Sequence, residues 1–280
     1  MGIGEKMRDR LSKGANQFDV SASPSFGLPD LPSPDQLIRG GTDPIHVCYI
    51  VMQHATSIFS EGISGYRELK KFAEFVTKAE DLYMPSAPPM SPITTSFFTT
   101  WAFYDLQFHD TDTIGSCLIE MSDVAEMSPE QLDALKKLNA SRMGVYERIG
   151  FDGHHVQLRE LITNAEYACH CASGYHGQVG ELWYVRLLPP LIPDVATYHI
   201  AFTTPYILTE AREADWVQFL NRGTSLPRFK NVPDRLHQFL KFGPDPFYWN
   251  EFVFKGYHHH QHDAIFLAGI PDRSATLPHA

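Results

Sequence analysis

The chain changes period after Gly144. Upstream, apolar residues recur at three and four. Downstream they recur at two, in short runs closed by turn residues, and this switch limits the middle of the chain to a small β-structure. Val145-Tyr146-Glu147-Arg148-Ile149 alternates before Phe151-Asp152-Gly153 turns the chain. Residues 156–161 alternate again, and Thr163-Asn164 is the next turn. Residues 166–171, 182–188 and 197–202 supply further strands, with Gly174, Gly177 and Gly180 breaking the chain between the first two of these. Short strands at this spacing, joined by tight turns, predict a small antiparallel β-barrel over residues 143–208.

The flanks read differently. Residues 42–142 form a helical region. Thr42-Asp43-Pro44 is a helix start with proline in the first turn, and residues 46–59 are apolar nearly all round. Ser64 is placed to cap a second helix with Tyr66, Leu69, Phe72, Ala73, Val76 and Ala79 on one face, ended by Pro85, Pro88 and Pro89. Phe97, Trp101, Tyr104 and Phe108 then share a stripe at helical spacing, the pattern of a core face. Ser128-Pro129-Glu130-Gln131 is a capping box that opens a helix through Leu132, Leu135 and Leu138. After the barrel, Thr209 is expected to cap a helix through Trp216, Phe219 and Leu220. A second short helix is expected from Pro233 to Gly243, and a strand over 264–268. Residues 1–41, with Pro24, Pro29, Pro32 and Pro34 set among Ser, Gly and Asp, read as a flexible proline-rich tail and linker. The predicted fold class is α+β: an N-terminal helical part, a central small antiparallel β-barrel, and a helical or mixed C-terminal part over 209–280.

Charge narrows the partners. The 280 residues carry 33 acidic and 23 basic side chains, a net charge of -10. Such a chain repels nucleic acid and anionic membrane, so neither non-specific nucleic-acid binding nor membrane binding is expected. No apolar run approaches the ~18–20 residues that span a bilayer, and the opening residues lack the apolar stretch of a secretory signal. Cys48, Cys117, Cys169 and Cys171 read as reduced thiols of a cytoplasmic protein. The expected partner is a protein or a small molecule. Neither a G-x-S-x-G elbow nor a phosphate-binding glycine fingerprint is present.

Phe97 to Asp105 (FFTTWAFYD), the Thr113-Ile114 step, and residues 128–138 and 141–146 lead into Val145-Tyr146-Glu147, Leu158-Arg159-Glu160-Leu161 and Gly180-Glu181-Leu182-Trp183-Tyr184-Val185-Arg186. Together these segments resemble an uncharacterised bacterial family whose members often carry a SEC-C zinc motif. The resemblance covers residues 95–190 and implies a helical segment followed by a small β-module, with no activity attached. Glu160 and Glu181 stand where the family pattern has Asp. Cys169-His170-Cys171-Ala172-Ser173-Gly174 copies the first half of the SEC-C motif, and the second ligand pair is missing. Cys169, Cys171 and His176 would supply three of the roughly four ligands that zinc takes. Alternation within a strand offers the other reading, in which Cys169 and Cys171 share a core face.

Tyr257-His258-His259-His260-Gln261-His262-Asp263 is the most unusual segment. In an extended chain His258, His260 and His262 would share one face, and three imidazoles suit zinc or a neighbouring transition metal. Asp263 could orient one of them, with His237 or Asp245 as a remote fourth ligand. Two functions fit these features. The first is a binding or interaction protein without catalysis. The alternative is a metal-dependent enzyme, a hydrolase, in which zinc held by the histidine cluster activates water.

Overall fold

The computed structural model describes residues 2–12, 33–63, 69–84, 95–108, 111–191, 196–225 and 231–279. The expected cap Ser64, Tyr66 and the prolines at 24, 29, 32, 85, 88 and 89 lie outside them. The helices are α1 (Ile3–Ser12), α2 (Pro34–Arg39), α3 (Pro44–Ile63), α4 (Lys70–Tyr83), α5 (Thr95–Thr100), α6 (Ile114–Glu120), α7 (Pro129–Ala140), α8 (Glu213–Gly223), α9 (Val232–Phe242) and α10 (Tyr248–Gly256). The strands are β1 (Met143–Phe151), β2 (Val156–Glu160), β3 (Glu166–Cys171), β4 (Leu182–Leu188), β5 (His199–Ala201), β6 (Tyr206–Thr209), β7 (Tyr257–His260) and β8 (Ile265–Ala268). The chain divides into two compact units, Met1–Lys78 with Thr100–Ala140, and Ala79–Thr99 with Ser141–Ala280. The architecture is α+β, with helices first, a barrel in the middle, and helices and strands after it.

The first unit is helical, and its caps are those the sequence announces. Asp43 Oδ1 accepts the N–H groups of Ile45 and His46 at 2.9 and 3.1 Å, which starts α3 at Pro44. Ser128 and Gln131 exchange side-chain and backbone hydrogen bonds at the start of α7. Within the unit the Tyr104 hydroxyl donates to Thr56 Oγ1, which in turn donates to the Met52 carbonyl. A Cβ on Gly115 would overlap the Tyr104 ring, so glycine there permits the close approach.

The amino-terminal segment departs from the expected tail. Ile3 is 3% exposed and packs with Ile63, Leu69, Ile114, Cys117 and Met121. Its N–H donates to Asp112 Oδ2 at 2.9 Å. The buried isoleucine and the paired backbone donor hold the start of this charged helix against α6. The aromatic stripe also divides. Trp101–Asp105 is a π-helical turn, closed by Leu106 N–H on the Trp101 carbonyl at 2.8 Å. The extra residue rotates the chain beyond it, so Phe97 packs against Tyr184 and Tyr206 of the second unit while Phe108 packs on Phe72 of the first. Trp101 itself is buried.

In the second unit β1, β2, β3, β5 and β4 form a closed barrel in that order, with β1 pairing β4 to complete it. The expected strands are all present, but the barrel is mixed and not antiparallel, because β3 and β5 run parallel. The reason is geometric. A closed ring with an odd number of strands must contain a parallel pair, and β5, inserted between β3 and β4, creates it there. β6 continues along β4 and carries the sheet outward to β8 and β7. Thr209 does not cap a helix. It ends β6, and its hydroxyl donates to the Leu267 carbonyl at 3.0 Å. α8 starts later, with Asp215 accepting the Arg212 N–H.

β4 is buried along its whole length, as a strand covered on both faces should be. Trp183, Val185 and Leu187 point into the barrel with Val156, Leu158, Cys169, Cys171 and Ala201. Leu182 and Tyr184 point the other way, into an aromatic cluster built with Trp216, Phe219, Phe239, Trp249 and Phe252 of α8, α9 and α10. Fully buried Arg186 donates to the Ser141 carbonyl and hydroxyl at 3.1 and 2.9 Å, and Lys241 donates to the same carbonyl at 2.7 Å. These bonds anchor the residue that opens the barrel.

Candidate functional site

The barrel interior is apolar in the middle and polar at both ends, and the two ends are built differently. Strand alternation places Val156, Leu158 and Glu160 of β2 on the inner face, Tyr167, Cys169 and Cys171 of β3, and His199 and Ala201 of β5. The last inward residue of β2, the first of β3 and the first of β5 therefore meet at one end.

At this Glu160 end the carboxylate is held on both oxygens. Arg142 Nη2 donates to Oε1 at 2.7 Å, and Thr163 Oγ1 donates to Oε2 at 2.5 Å. The two charged side chains are 14% and 4% exposed, so this is a buried pair. Arg142 also donates to the Met143 carbonyl. The ring of Tyr146 lies across Gly144, where a Cβ would collide with it. Tyr146 and Tyr167 meet edge to face at 5.9 Å, and Tyr167 and His199 do so at 4.8 Å. Burial pushes both phenols up, opposed by Arg142 and reinforced by Glu160. Burial pushes the His199 imidazole down, so it is neutral at neutral pH. Its Nδ1 is buried without a hydrogen-bond partner among the described residues. Neither tyrosine hydroxyl makes a hydrogen bond among them either.

At the opposite end, Glu181 accepts from Tyr175 OH at 3.1 Å and from Trp183 Nε1 at 3.3 Å. A Cβ on Gly177, which sits at φ +58, would overlap the same carboxylate. Tyr175 and Trp183 pack at 5.4 Å and plug the interior.

The residues singled out by spacing go elsewhere. Cys169 and Cys171 are inward core residues whose thiols burial pushes up. Their sulfurs contact the Tyr167 carbonyl and the Ser173 hydroxyl. His176 leaves them and packs against the Phe151 ring, tilted by 32°, at 4.5 Å. In the histidine cluster, β7 departs from simple register against β8 between Tyr257 and His259. The extra residue breaks the alternation, so His258, His260 and His262 do not share a face. His258 and His259 instead meet, Nδ1 to Nδ1 at 2.7 Å, while His259 lies flat on Phe266. His260 Nδ1 pairs with the Tyr257 hydroxyl at 2.7 Å. Asp263 is half-buried, and His262 is exposed. Among the described residues, no group of three His, Cys, Asp or Glu side chains is placed to hold a metal ion.

Arg142, Tyr146, Glu160, Tyr167 and His199 were not legible as a site, because they are spread over nearly sixty positions. One signal was present. Glu160 falls on the inward phase of Val156-x-Leu158-x-Glu160, where a carboxylate needs a buried partner. No protein-family model, no curated protein and no solved structure matches this chain.

Proposed function

We propose that this is a binding protein whose barrel takes a small molecule at its Glu160 end, and that it holds this ligand without transforming it. One observation carries the reading. The rings of Tyr146, Tyr167 and His199 touch in a row, and neither hydroxyl nor His199 Nδ1 has a hydrogen-bond partner among the described residues. A buried polar atom left unpaired costs about 1–3 kcal/mol. His199 Nδ1 is such an atom, and the two phenol hydroxyls beside it are unused by the fold, so a ligand reaching the row would find three hydrogen-bonding groups on adjoining rings. The reactive residues nearby are quiet. Glu160 is engaged on both oxygens, and Cys169 stays a thiol. The four free cysteines fit a reducing compartment, which supports a cytoplasmic location.

The test is a thermal-shift screen of small molecules on the full chain, repeated on His199→Phe and Tyr167→Phe. The expected result is a compound that raises Tm in the wild type, loses that effect in both variants, and is recovered unchanged after incubation. Hits that ignore both substitutions would overturn the proposal. Recovery of an altered compound would make the site catalytic.

A further inference from the structure

We infer that the ligand of the Glu160 end is a small, uncharged polyhydroxy compound, a polyol or monosaccharide. This rests on the binding function proposed for that end and names its chemistry.

Charge is the first argument. The Arg142 guanidinium and the Glu160 carboxylate are paired at 2.7 Å and largely removed from water. The cluster is therefore already balanced. A third charge entering it would lose its hydration with no free counter-charge to meet it. Each Glu160 oxygen already accepts one hydrogen bond and its charge is matched by Arg142, so an ammonium meets a neutralised pair in place of a free anion.

Hydrogen-bonding type is the second. A phenol both donates and accepts, and a neutral imidazole nitrogen does one or the other according to tautomer. Burial holds Tyr146, Tyr167 and His199 in these neutral forms. A row of groups that can each reverse its role matches hydroxyls, which can do the same. It matches a carboxylate, which only accepts, or an ammonium, which only donates, less well.

Shape is the third. The rings meet edge to face, at 89° between Tyr146 and Tyr167 and 76° between Tyr167 and His199. Rings crossed in this way do not form a parallel slot for a planar heterocycle.

The experiment titrates the full chain with myo-inositol and D-glucose as neutral probes. D-glucuronate and D-glucosamine serve as charged probes of the same frame. Binding is measured by calorimetry and by the imidazole NMR signals. At least one neutral probe should saturate and move the His199 resonance, with each charged probe about tenfold weaker or more. Tyr167→Phe keeps the ring and removes one hydroxyl, so it should fold normally and weaken the neutral probe about tenfold. Equal or tighter binding of a charged probe overturns the inference. So does failure of both neutral probes to move His199, or neutral binding that Tyr167→Phe leaves unchanged. The binding function survives these outcomes if the wider screen still yields hits that require His199 and Tyr167. It fails with the inference if no hit requires them.

Discussion

The two ends of one barrel solve the same problem in opposite ways. Each carries an inward or rim glutamate with tyrosine beside it. At the Glu181 end every nearby donor is used: Tyr175 and Trp183 both point at the carboxylate, and Gly177 yields the space it occupies. At the Glu160 end Arg142 and Thr163 each donate to one carboxylate oxygen, while His199 Nδ1 is buried without a partner and the Tyr146 and Tyr167 hydroxyls make no hydrogen bond among the described residues. The first arrangement is complete as a piece of folding. The second has hydrogen-bonding capacity that the fold does not consume, an exception that calls for an explanation.

Substitutions at the two ends separate these roles. The largest effect is expected from Trp183→Ala, which removes a fully buried ring from the barrel interior and should cost about 3–5 kcal/mol in denaturant unfolding. A loss below about 1 kcal/mol would show that the ring does not plug this end.

Glu160→Gln should come next, at about 3 kcal/mol, because it strands the Arg142 charge in a buried setting. Replacing Arg142 and Glu160 together by apolar residues should recover much of that loss. If the double variant is no better than the single one, the pair is not coupled as its geometry implies.

Glu181→Ala leaves the Trp183 N–H without its acceptor and should cost about 1–2 kcal/mol with no effect on ligand binding. Lost binding in this variant would erase the distinction between the two ends.

His199→Phe is expected to change stability by less than about 1 kcal/mol, or to raise it, since it removes an unpaired buried nitrogen. A large destabilisation would make His199 structural.

The smallest effect is on pH dependence. Burial lowers the folded-state pKa of His199 below its unfolded value near 6.5. Below that value the unfolded chain takes up a proton that the folded chain resists, so this contribution to stability is lost as pH falls from about 7. The wild type should therefore lose more stability than His199→Phe between pH 7.5 and 5.5. Parallel slopes would show that the ring titrates freely.

Much of the fold was legible, and particular residues show why. Ser128 and Gln131, Asp43 with Pro44, and the inward alternation of Val156, Leu158, Cys169 and Cys171 all act within a few positions of themselves. Local geometry is enough to read them. Where a signal depended on one unbroken period, a single inserted residue split it, although Phe97, Trp101 and Tyr104 are all buried as a core stripe should be. The π-helical turn at Trp101–Asp105 divided the aromatic stripe, and the register shift in β7 set His258 against His259 in place of His260. The amino-terminal helix repeats Ile3, Met7 and Leu11 every four residues, but a stripe this narrow among charged residues does not say what it packs on, and the structure sets Ile3 with Cys117 and Met121.

The sequence by itself determined the five barrel strands, the helices α3, α4, α7 and α9, the turns at Gly153 and Asn164, and the burial of the barrel lining, because each depends on a repeat of two or nearly four residues; it did not announce β6, α10 or α1. Tertiary structure alone decided that Arg142, Tyr146, Glu160, Tyr167 and His199 meet. Their meeting depends on the pairing of Tyr146 with Glu160, of Leu158 with Tyr167 and of Cys169 with His199. Register between strands is set by how the whole ring closes, and one residue of slip would turn each of these side chains to the opposite face.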